Sequence, residues 1–185
     1  MVLSIKKYIY NKIQKIRKKK VKLCGNNVRI AKKCRIQGNV ELGNNIVIGE
    51  GALLVSSIAT IKVHDYVVFG PNVTIYTGDH QTNILGKHII EIREEDKNNK
   101  DLDKDVVIES GCWIGTRAII LKGVTIGKGS IIGAGAIVTK NIPPYSIYIG
   151  VPNSRILKRF TKEEINEHEK ILFSRGIQSN SFLGV

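Results

Sequence analysis

The chain has 185 residues, of which 42% are hydrophobic and 24% are charged, a composition typical of one globular domain and not of a disordered polymer. No apolar run approaches the roughly 20 residues that a membrane span requires. The N-terminus lacks the apolar stretch and the small-residue cleavage site of a signal peptide. The three cysteines have neither metal-type nor disulfide-type spacing, so we expect reduced thiols in a cytoplasmic protein.

The net charge of +13 is concentrated near the N-terminus. Residues 1–40 contain 13 Lys or Arg and no Asp or Glu, whereas residues 41–185 contain 16 charges of each sign. The basicity therefore belongs to one segment and not to the whole fold. No nucleic-acid-binding motif accompanies it, so we expect no nucleic-acid partner.

Residues 1–22 are predicted to form a basic amphipathic helix, because Ile5, Ile9, Ile13 and Ile16 recur at helical spacing among lysines. Three interpretations of this helix stay open. It caps the end of the fold, it contacts an anionic membrane surface peripherally, or it attracts an acidic polymer. The isoleucine row favours the first interpretation and the surplus lysines favour the other two.

The segment 23–152 is built on a six-residue repeat. Fifteen hexads align in three blocks that begin at Cys24, Val63 and Ile108. The first position is aliphatic, Phe or Cys in every hexad, and the fifth position is Val, Ala, Cys, Ser or Ile in every complete one. One hexad can supply a short strand and a turn, so three hexads close a triangular coil whose inward side chains stack along an axis. We therefore predict an all-β fold, a parallel β-helix of about five coils.

Two further elements interrupt or follow the repeat. An acid-rich interruption at 81–107 is predicted to project from the prism as a long loop. Residues 153–185 are predicted to form a helical tail, in which Thr161 is the N-cap of a helix with acidic residues in its first turn. We expect the terminal helices to cap the two open ends of the prism.

The stretch from Val63 to about Phe160 resembles the hexapeptide-repeat acetyltransferases, a superfamily that includes galactoside, maltose and xenobiotic acetyltransferases. The resemblance is carried by GPNVTIYTGDH (70–80), by the repeat segment 106–147 and by GVP (150–152). The acid-rich insertion and the tail RFTKEEINEHE are most similar to the O-acetyltransferases of capsule and polysaccharide clusters. The resemblance implies a left-handed β-helix, acetyl-CoA as co-substrate and a homotrimer. We expect no metal. We expect the long loop to cover a neighbouring subunit's site and shape acceptor choice, and a solvated loop without such contacts is the alternative.

Acetyl transfer from a thioester to a hydroxyl needs a base that accepts the hydroxyl proton. His80 is the predicted base, because it follows a predicted strand where the repeat breaks and matches the family's catalytic histidine. Asp79 is a candidate for orienting the ring; a backbone carbonyl or a neighbouring subunit's residue are alternatives. Tyr76 and Trp113 are predicted to contact the acceptor, although the outward Trp113 fits plain interface packing equally well.

The resemblance also implies that pantetheine lies along an outer edge of the prism. Small residues there let backbone amides approach the cofactor, and cations meet its phosphates. The corners of the coils need small residues in any case, so a purely structural role for the glycine and the alanine stays open. The family's basic residue after GVP is replaced by Ser154, which leaves open which cation meets the phosphates. The predicted cofactor-binding residues are Gly115, Thr116, Ala134, Thr139, Lys140, Arg155 and Lys158.

The cysteines are predicted to be inert, because Cys24 holds a first position and Cys34 and Cys112 hold fifth positions, all facing inward. The sequence thus predicts direct acetyl transfer from CoA to a sugar hydroxyl of a capsular or other surface polysaccharide or its precursor, a small-molecule or oligosaccharide acceptor. Alternatives are an N-acetyltransferase of an amino sugar or antibiotic and a non-catalytic β-helix scaffold. A zinc carbonic anhydrase would need three convergent histidines, which this sequence does not offer.

Overall fold

The computed structural model describes residues 2–18, 21–97 and 99–177, and within them the strands stack into the three faces of a triangular prism. Face 1 consists of β1 (Leu23–Cys24), β4 (Val40–Leu42), β7 (Ile61–Val63), β10 (Val106–Ile108) and β13 (Thr125–Ile126). Face 2 consists of β2 (Arg29–Ile30), β5 (Val47–Ile48), β8 (Val68–Phe69), β11 (Trp113–Ile114), β14 (Ile131–Ile132), β16 (Ser146–Ile149) and β17 (Arg155–Lys158). Face 3 consists of β3 (Arg35–Gln37), β6 (Leu53–Val55), β9 (Thr74–Tyr76), β12 (Ile119–Ile120) and β15 (Ile137–Val138).

The register of face 2 shows how the hexads wind. Arg29 pairs with Val47, 18 residues later, which is three hexads. Val47 pairs with Val68, 21 residues later, so this coil contains the three-residue slip between the first two blocks. Val68 pairs with Trp113, 45 residues later, and Trp113 pairs with Ile131 at the normal spacing of 18. The long coil is therefore 27 residues longer than a normal one, the length of the predicted interruption.

Five complete coils are followed, within the described residues, by a partial sixth. The sixth coil consists of β16 and of a single parallel bridge between Ile126 and Ile142. The predicted left-handed parallel β-helix with two terminal helices and one long loop is confirmed, with one partial coil more than expected.

First-position side chains form the axial core, since every one from Ile30 to Val138 is at most 6% exposed. Fifth positions are also buried along most of the prism. Cys34 is half-buried, and the largest departure is Ile58, which is 61% exposed. It lies in the wider turn that the three-residue slip creates, and there its side chain points outward.

The turns at the corners require unusual backbone conformations. Asn27 and Asn45 both have φ in the left-handed region, +52° and +57°, which asparagine tolerates better than most residues. They lie in successive coils, and the Asn27 Nδ2 donates to the Asn45 Oδ1 at 2.8 Å. Corner side chains thus pair from coil to coil in the same register as the strands.

The helices are α1 (Val2–Lys18), the short α2 (Asn99–Leu102) and α3 (Lys162–Ser174), with 3₁₀ turns at Ile89–Glu91 and Glu94–Asp96. Among the described residues, no helix has the length and apolar content needed to cross a bilayer. The side chains of Ile5 and Ile9, and the end of the predicted tail at 178–185, lie outside the described part of the chain.

The first helix contacts the prism through polar side chains. Gln14 Nε2 donates to the Ile30 carbonyl at 3.0 Å, and the Ile30 N–H donates to Gln14 Oε1 at 2.9 Å. Arg17 donates to the same carbonyl at 2.7 Å. Gln14 is only 8% exposed, whereas Ile13 and Ile16 are 39% and 58% exposed. The helix does reach the first coil, but its side-chain amide, and not its isoleucine row, takes the place of a next strand beside β2.

The last helix, α3, begins after the predicted N-cap Thr161, but it does not lie over the open end of the prism as expected. Thr161 Oγ1 accepts the Glu164 N–H at 3.2 Å, and Glu164 Oε2 accepts the Thr161 N–H at 2.8 Å, which confirms the N-cap. Glu169 then accepts hydrogen bonds from Lys128 Nζ at 2.6 Å and from the Tyr145 hydroxyl. These contacts hold α3 against the corner between faces 1 and 2. It does not cap the open end, where β17 instead pairs antiparallel with β16.

Replacing Gln14 by Leu should lower the free energy of unfolding by about 1–3 kcal/mol, because the buried Ile30 N–H loses its partner while the volume of the side chain is kept. Urea unfolding at a fixed protein concentration measures the change. Asn11→Leu, at an exposed position of the same helix, is the control and should change the value by less than about 0.5 kcal/mol. Equal unfolding midpoints for the two variants would contradict the role assigned to Gln14.

Candidate active site

The predicted base His80 lies at the corner between faces 3 and 1, four residues beyond the end of β9. Its side chain and that of Asp79 are both exposed. Asp79 Oδ1 accepts the backbone N–H of His80 at 2.8 Å. The Asp79 carboxylate therefore binds the main chain of His80. This hydrogen bond fixes the backbone that carries the imidazole.

The inserted loop between β9 and β10 leaves the prism through a hydrogen-bonded neck. The Lys104 N–H donates to the Thr77 carbonyl at 3.0 Å, which joins the outgoing and the returning chain. The Asp103 carboxylate accepts the N–H groups of Ile58 and Ala59 at 2.7 and 3.1 Å. Those two N–H groups belong to the wide turn one coil below, so the three-residue slip provides the anchor for the returning chain.

Lys122 binds the neck from the coil above. Its Nζ lies 3.6 Å from Asp79 Oδ2 and donates to the Asp101 carbonyl at 3.0 Å. The ammonium group of Lys122 thus contacts both sides of the loop. It contacts the outgoing side at Asp79, next to His80, and the returning side at Asp101. Sequence reasoning missed Lys122, because a lysine at a coil corner is usually solvated. The feature of the sequence that could have identified Lys122 is its position in the repeat. The pairing of β9 with β12 aligns residue 122 with Thr77, where the loop leaves the prism.

The outer surface of face 3 provides a shallow apolar floor beside this corner. Thr74 pairs with Ile119 and Ile119 pairs with Ile137, so the three side chains form one outward column. Ile137 is 47% exposed and the other two are half-buried. An extended ligand that lies along this column would have His80 at its edge.

The predicted cofactor residues border this floor on both sides. Thr116 and Ala134 are exposed at the corner between faces 2 and 3, in successive coils. Thr139 and Lys140 are exposed at the corner between faces 3 and 1, directly after β15. The structure therefore brings four of the predicted residues to the two edges of the face that His80 also borders.

Gly115 is buried, and its role in this structure is to let the coils stack. A Cβ on Gly115 would lie 2.6 Å from the Ile132 carbonyl oxygen and 2.7 Å from the Ala134 nitrogen. No side chain fits at that distance from backbone atoms, so the position requires glycine whatever binds outside.

Three other predicted residues lie away from His80 in a single chain. Trp113 is 54% exposed on face 2, between Val68 and Ile131 in the strand register. Arg155 and Lys158 are exposed on β17 at the last edge of the same face. Within one chain, face 2 therefore carries the indole and these two cations, whereas face 3 carries the edge with the imidazole.

Tyr76 lies on the same face as the edge that carries His80. It is the last residue of β9 on face 3 and is 39% exposed. His64 follows β7 at a different corner from His80. Among the described residues, no group of three or more His, Cys, Asp or Glu side chains could hold a metal ion.

Burial makes the thiols poor nucleophiles. It raises the pKa of the Cys112 thiol to about 12, and it also raises the pKa values of Cys24 and Cys34 above their ordinary range. Thiolate is the reactive form, so none of the three is activated for covalent chemistry near neutral pH.

Comparisons with known proteins agree with this architecture. Residues 105–140 match the model of the bacterial transferase hexapeptide (six repeats). The galactoside O-acetyltransferase of Lactococcus lactis is 36% identical over 138 residues, which are 75% of this chain and 59% of that protein. The chain thus spans less than two thirds of the length of that relative.

Two solved structures are similar over most of their length. The maltose O-acetyltransferase of Clostridium difficile has a TM-score of 0.64 and 28% identity, with coverage of 83% of this chain and 77% of that one. The N-acyltransferase AntD of Bacillus cereus, in complex with dTDP and 3-hydroxybutyryl-CoA, has a TM-score of 0.66 and 25% identity, with coverage of 85% and 86%.

Replacing Lys122 by Met should release both sides of the loop neck, because the variant keeps the aliphatic stem and loses the ammonium group. We expect the first-order rate of limited proteolysis within the loop to rise about threefold to tenfold, the size expected when a partly exposed ion pair and one hydrogen bond are lost. Lys140→Met, at the equivalent corner one coil above, is the matched control and should leave the rate unchanged. Equal cleavage rates in the two variants would refute the role of Lys122.

Proposed function

The chain belongs to the bacterial hexapeptide-repeat transferases, and on this basis we propose that it is an acetyl-CoA-dependent O-acetyltransferase. Its acceptor is a sugar hydroxyl of a capsular or other surface polysaccharide or its precursor. The observation that carries the proposal is the exposed imidazole of His80 at the edge of an open apolar face. The opposite edge of that face presents the small exposed residues Thr116 and Ala134.

In the proposed reaction His80 acts as a general base. It accepts the proton of the acceptor hydroxyl while the oxygen attacks the thioester carbonyl. A new C–O bond forms, the C–S bond breaks as the tetrahedral intermediate collapses, and the imidazolium returns its proton to the departing CoA thiolate. The hydrogen bond of Asp79 to the backbone of His80 and the contact of Lys122 with Asp79 support this role, because they limit the movement of the segment that carries the ring.

Acetyl-CoA is proposed to lie across face 3, with pantetheine along the column of Thr74, Ile119 and Ile137. Thr116 and Ala134 leave room for a close approach at one edge. Lys140 supplies a cation for the phosphates at the other. Arg155 and Lys158 lie on another face of the same chain, so they can join this site only through a neighbouring subunit.

A cyclic homotrimer would bring the separated parts together. If face 2 of one subunit packs against face 3 of the next, Trp113 reaches the neighbour's His80 edge, and repetition of this contact closes a ring. The apolar strip of Val68, Trp113 and Ile131 on face 2 supports such a contact. The inserted loop also exposes Leu85 and Ile90, at 98% and 92%, which suits a loop that covers a neighbouring site and shapes the choice of acceptor.

N-acylation is the second candidate, and the similarity to AntD favours it. Acetyl-CoA consumption measured with matched hydroxyl and amine acceptors, such as a hexose and the corresponding amino sugar, separates the two reactions. Faster turnover of the amine would replace the O-acetyltransferase assignment. Absence of CoA binding in calorimetry would favour a non-catalytic scaffold over both.

Replacing His80 by Ala should lower kcat by about 10²–10⁴, since the acceptor hydroxyl then lacks its base. The circular dichroism spectrum and the unfolding midpoint should stay unchanged, because the side chain is exposed. His88→Ala, an exposed histidine of the same loop, is the control and should retain kcat within about twofold. A His80 variant as active as this control would end the proposed mechanism.

Direct transfer without an acyl-cysteine predicts that a variant lacking all three cysteines, with Cys24, Cys34 and Cys112 each replaced by Ala, keeps turnover within about twofold. Steady-state kinetics and mass spectrometry of the protein during turnover test this. Complete loss of turnover in a variant that remains folded, or an acetylated cysteine in the native protein, would refute direct transfer.

A further inference from the structure

The first helix exposes three of its described apolar side chains. Gln14 and Arg17 hold α1 on the prism through the Ile30 carbonyl. Ile16 lies on the opposite side of the helix from Gln14, because two residues correspond to about 200° of helical rotation, and it is 58% exposed. Tyr8 is 68% exposed and Ile13 is 39% exposed. The two described isoleucines of the row that the sequence predicted as a cap, Ile13 and Ile16, are therefore exposed to the exterior.

The same surface is strongly cationic. Residues 1–40 contain 13 Lys or Arg and no acidic residue. Two lysines of the first coil form ion pairs with acidic residues of the second coil. Lys22 lies 3.2 Å from Glu41, and Lys33 lies 3.6 Å from Glu50. On the helix itself, Lys12 and Lys15 are exposed beside the isoleucines. Within the described residues neither of these two lysines has an ion pair.

The first coil extends the cationic surface beyond the helix. Arg29, Lys32 and Arg35 are exposed there, next to the helix contact at Ile30. They belong to the coil on which α1 lies, so the exposed apolar side chains and the excess positive charge are found at the same end of the prism.

An anionic lipid bilayer uses both properties of this surface. Isoleucine side chains of an interfacial helix enter the boundary between headgroups and acyl chains, and lysines contact the anionic headgroups. An acidic polymer would use the charge alone. A second copy of this chain would bring two surfaces of the same charge together. We propose that α1 and the first coil dock on an anionic membrane surface.

Docking at this end sets the distance between the bilayer and the candidate site. β9, which carries the chain into His80, lies in the third coil, two layers above the first. Layers are separated by about 4.8 Å, so the imidazole would lie roughly 10 Å above the first coil along the prism. A membrane-bound sugar can reach a site at that height more readily than one at the far end of the prism.

The test uses the full-length chain and vesicles of phosphatidylcholine alone or mixed with phosphatidylglycerol. Co-sedimentation should show binding to the mixed vesicles, weakening as salt is added, and little binding to phosphatidylcholine. Lys12→Gln with Lys15→Gln should lower the partition coefficient roughly 25-fold, at about fivefold for each cation removed. Ile13→Ser with Ile16→Ser should lower it by about tenfold.

The controls make the equivalent changes on α3, at two exposed lysines and at two exposed large apolar residues. Lys162→Gln with Lys170→Gln, and Ile171→Ser with Phe173→Ser, should each change partitioning by less than about twofold. Circular dichroism verifies that every variant is folded. The vesicle measurement does not involve catalysis, so its outcome is independent of the proposed transferase activity.

Several outcomes would overturn the proposal. Failure of the native chain to bind the mixed vesicles ends it directly. If the isoleucine pair leaves binding unchanged while the lysine pair abolishes it, and dextran sulfate binds equally well, the surface recognises an acidic polymer. If the isoleucine pair changes the oligomeric state in light scattering without lipid, the row is a contact between copies of the chain.

Discussion

Every feature of this protein depends on the parallel pairing of short strands in a fixed register around the axial column. Because one residue of each hexad must enter that column, the chain has to turn at the same place in every coil. Corner residues 18 positions apart therefore lie above one another, as Thr116 and Ala134 do. The position of a residue within its hexad thus determines the face or corner on which it lies. Functional residues can therefore line an edge of the prism instead of a deep cavity.

The candidate site lies where this repetition is broken twice. The three-residue slip opens a wide turn, and the 27 extra residues of the long coil leave the prism one layer higher at the same corner. The wide turn and the inserted loop are joined by hydrogen bonds, since Asp103 of the loop accepts the N–H groups that the slip exposes. A loop fixed in this way can carry an exposed side chain such as His80 in a defined place, whereas a free loop of that length would spread it over many positions.

The repeat made most of the architecture predictable, because burial of first-position side chains is enforced in every layer. The same regularity led to the expectation that Ile58 faces inward, and the slip reverses its orientation. Gln14 and Lys122 were missed, since a single polar residue in a lysine-rich helix and a lysine at a corner both resemble solvated positions. Gln14 binds the backbone of Ile30. Lys122 contacts the Asp79 carboxylate and the Asp101 carbonyl. These partners belong to distant segments, which no local pattern encodes. The position of α3 similarly depends on Glu169 reaching Lys128 and Tyr145.

The ends of face 2 have a consequence for the behaviour of the protein at high concentration. A β-helix that ended in bare strands would offer each open edge as a template for another molecule, and stacking could continue into fibres. At one end the amide of Gln14 occupies the backbone groups of Ile30. At the other, β17 runs antiparallel and presents Arg155 and Lys158, so the edge has the wrong direction and a repelling charge. These two terminators should keep the assembly finite and disfavour filament growth.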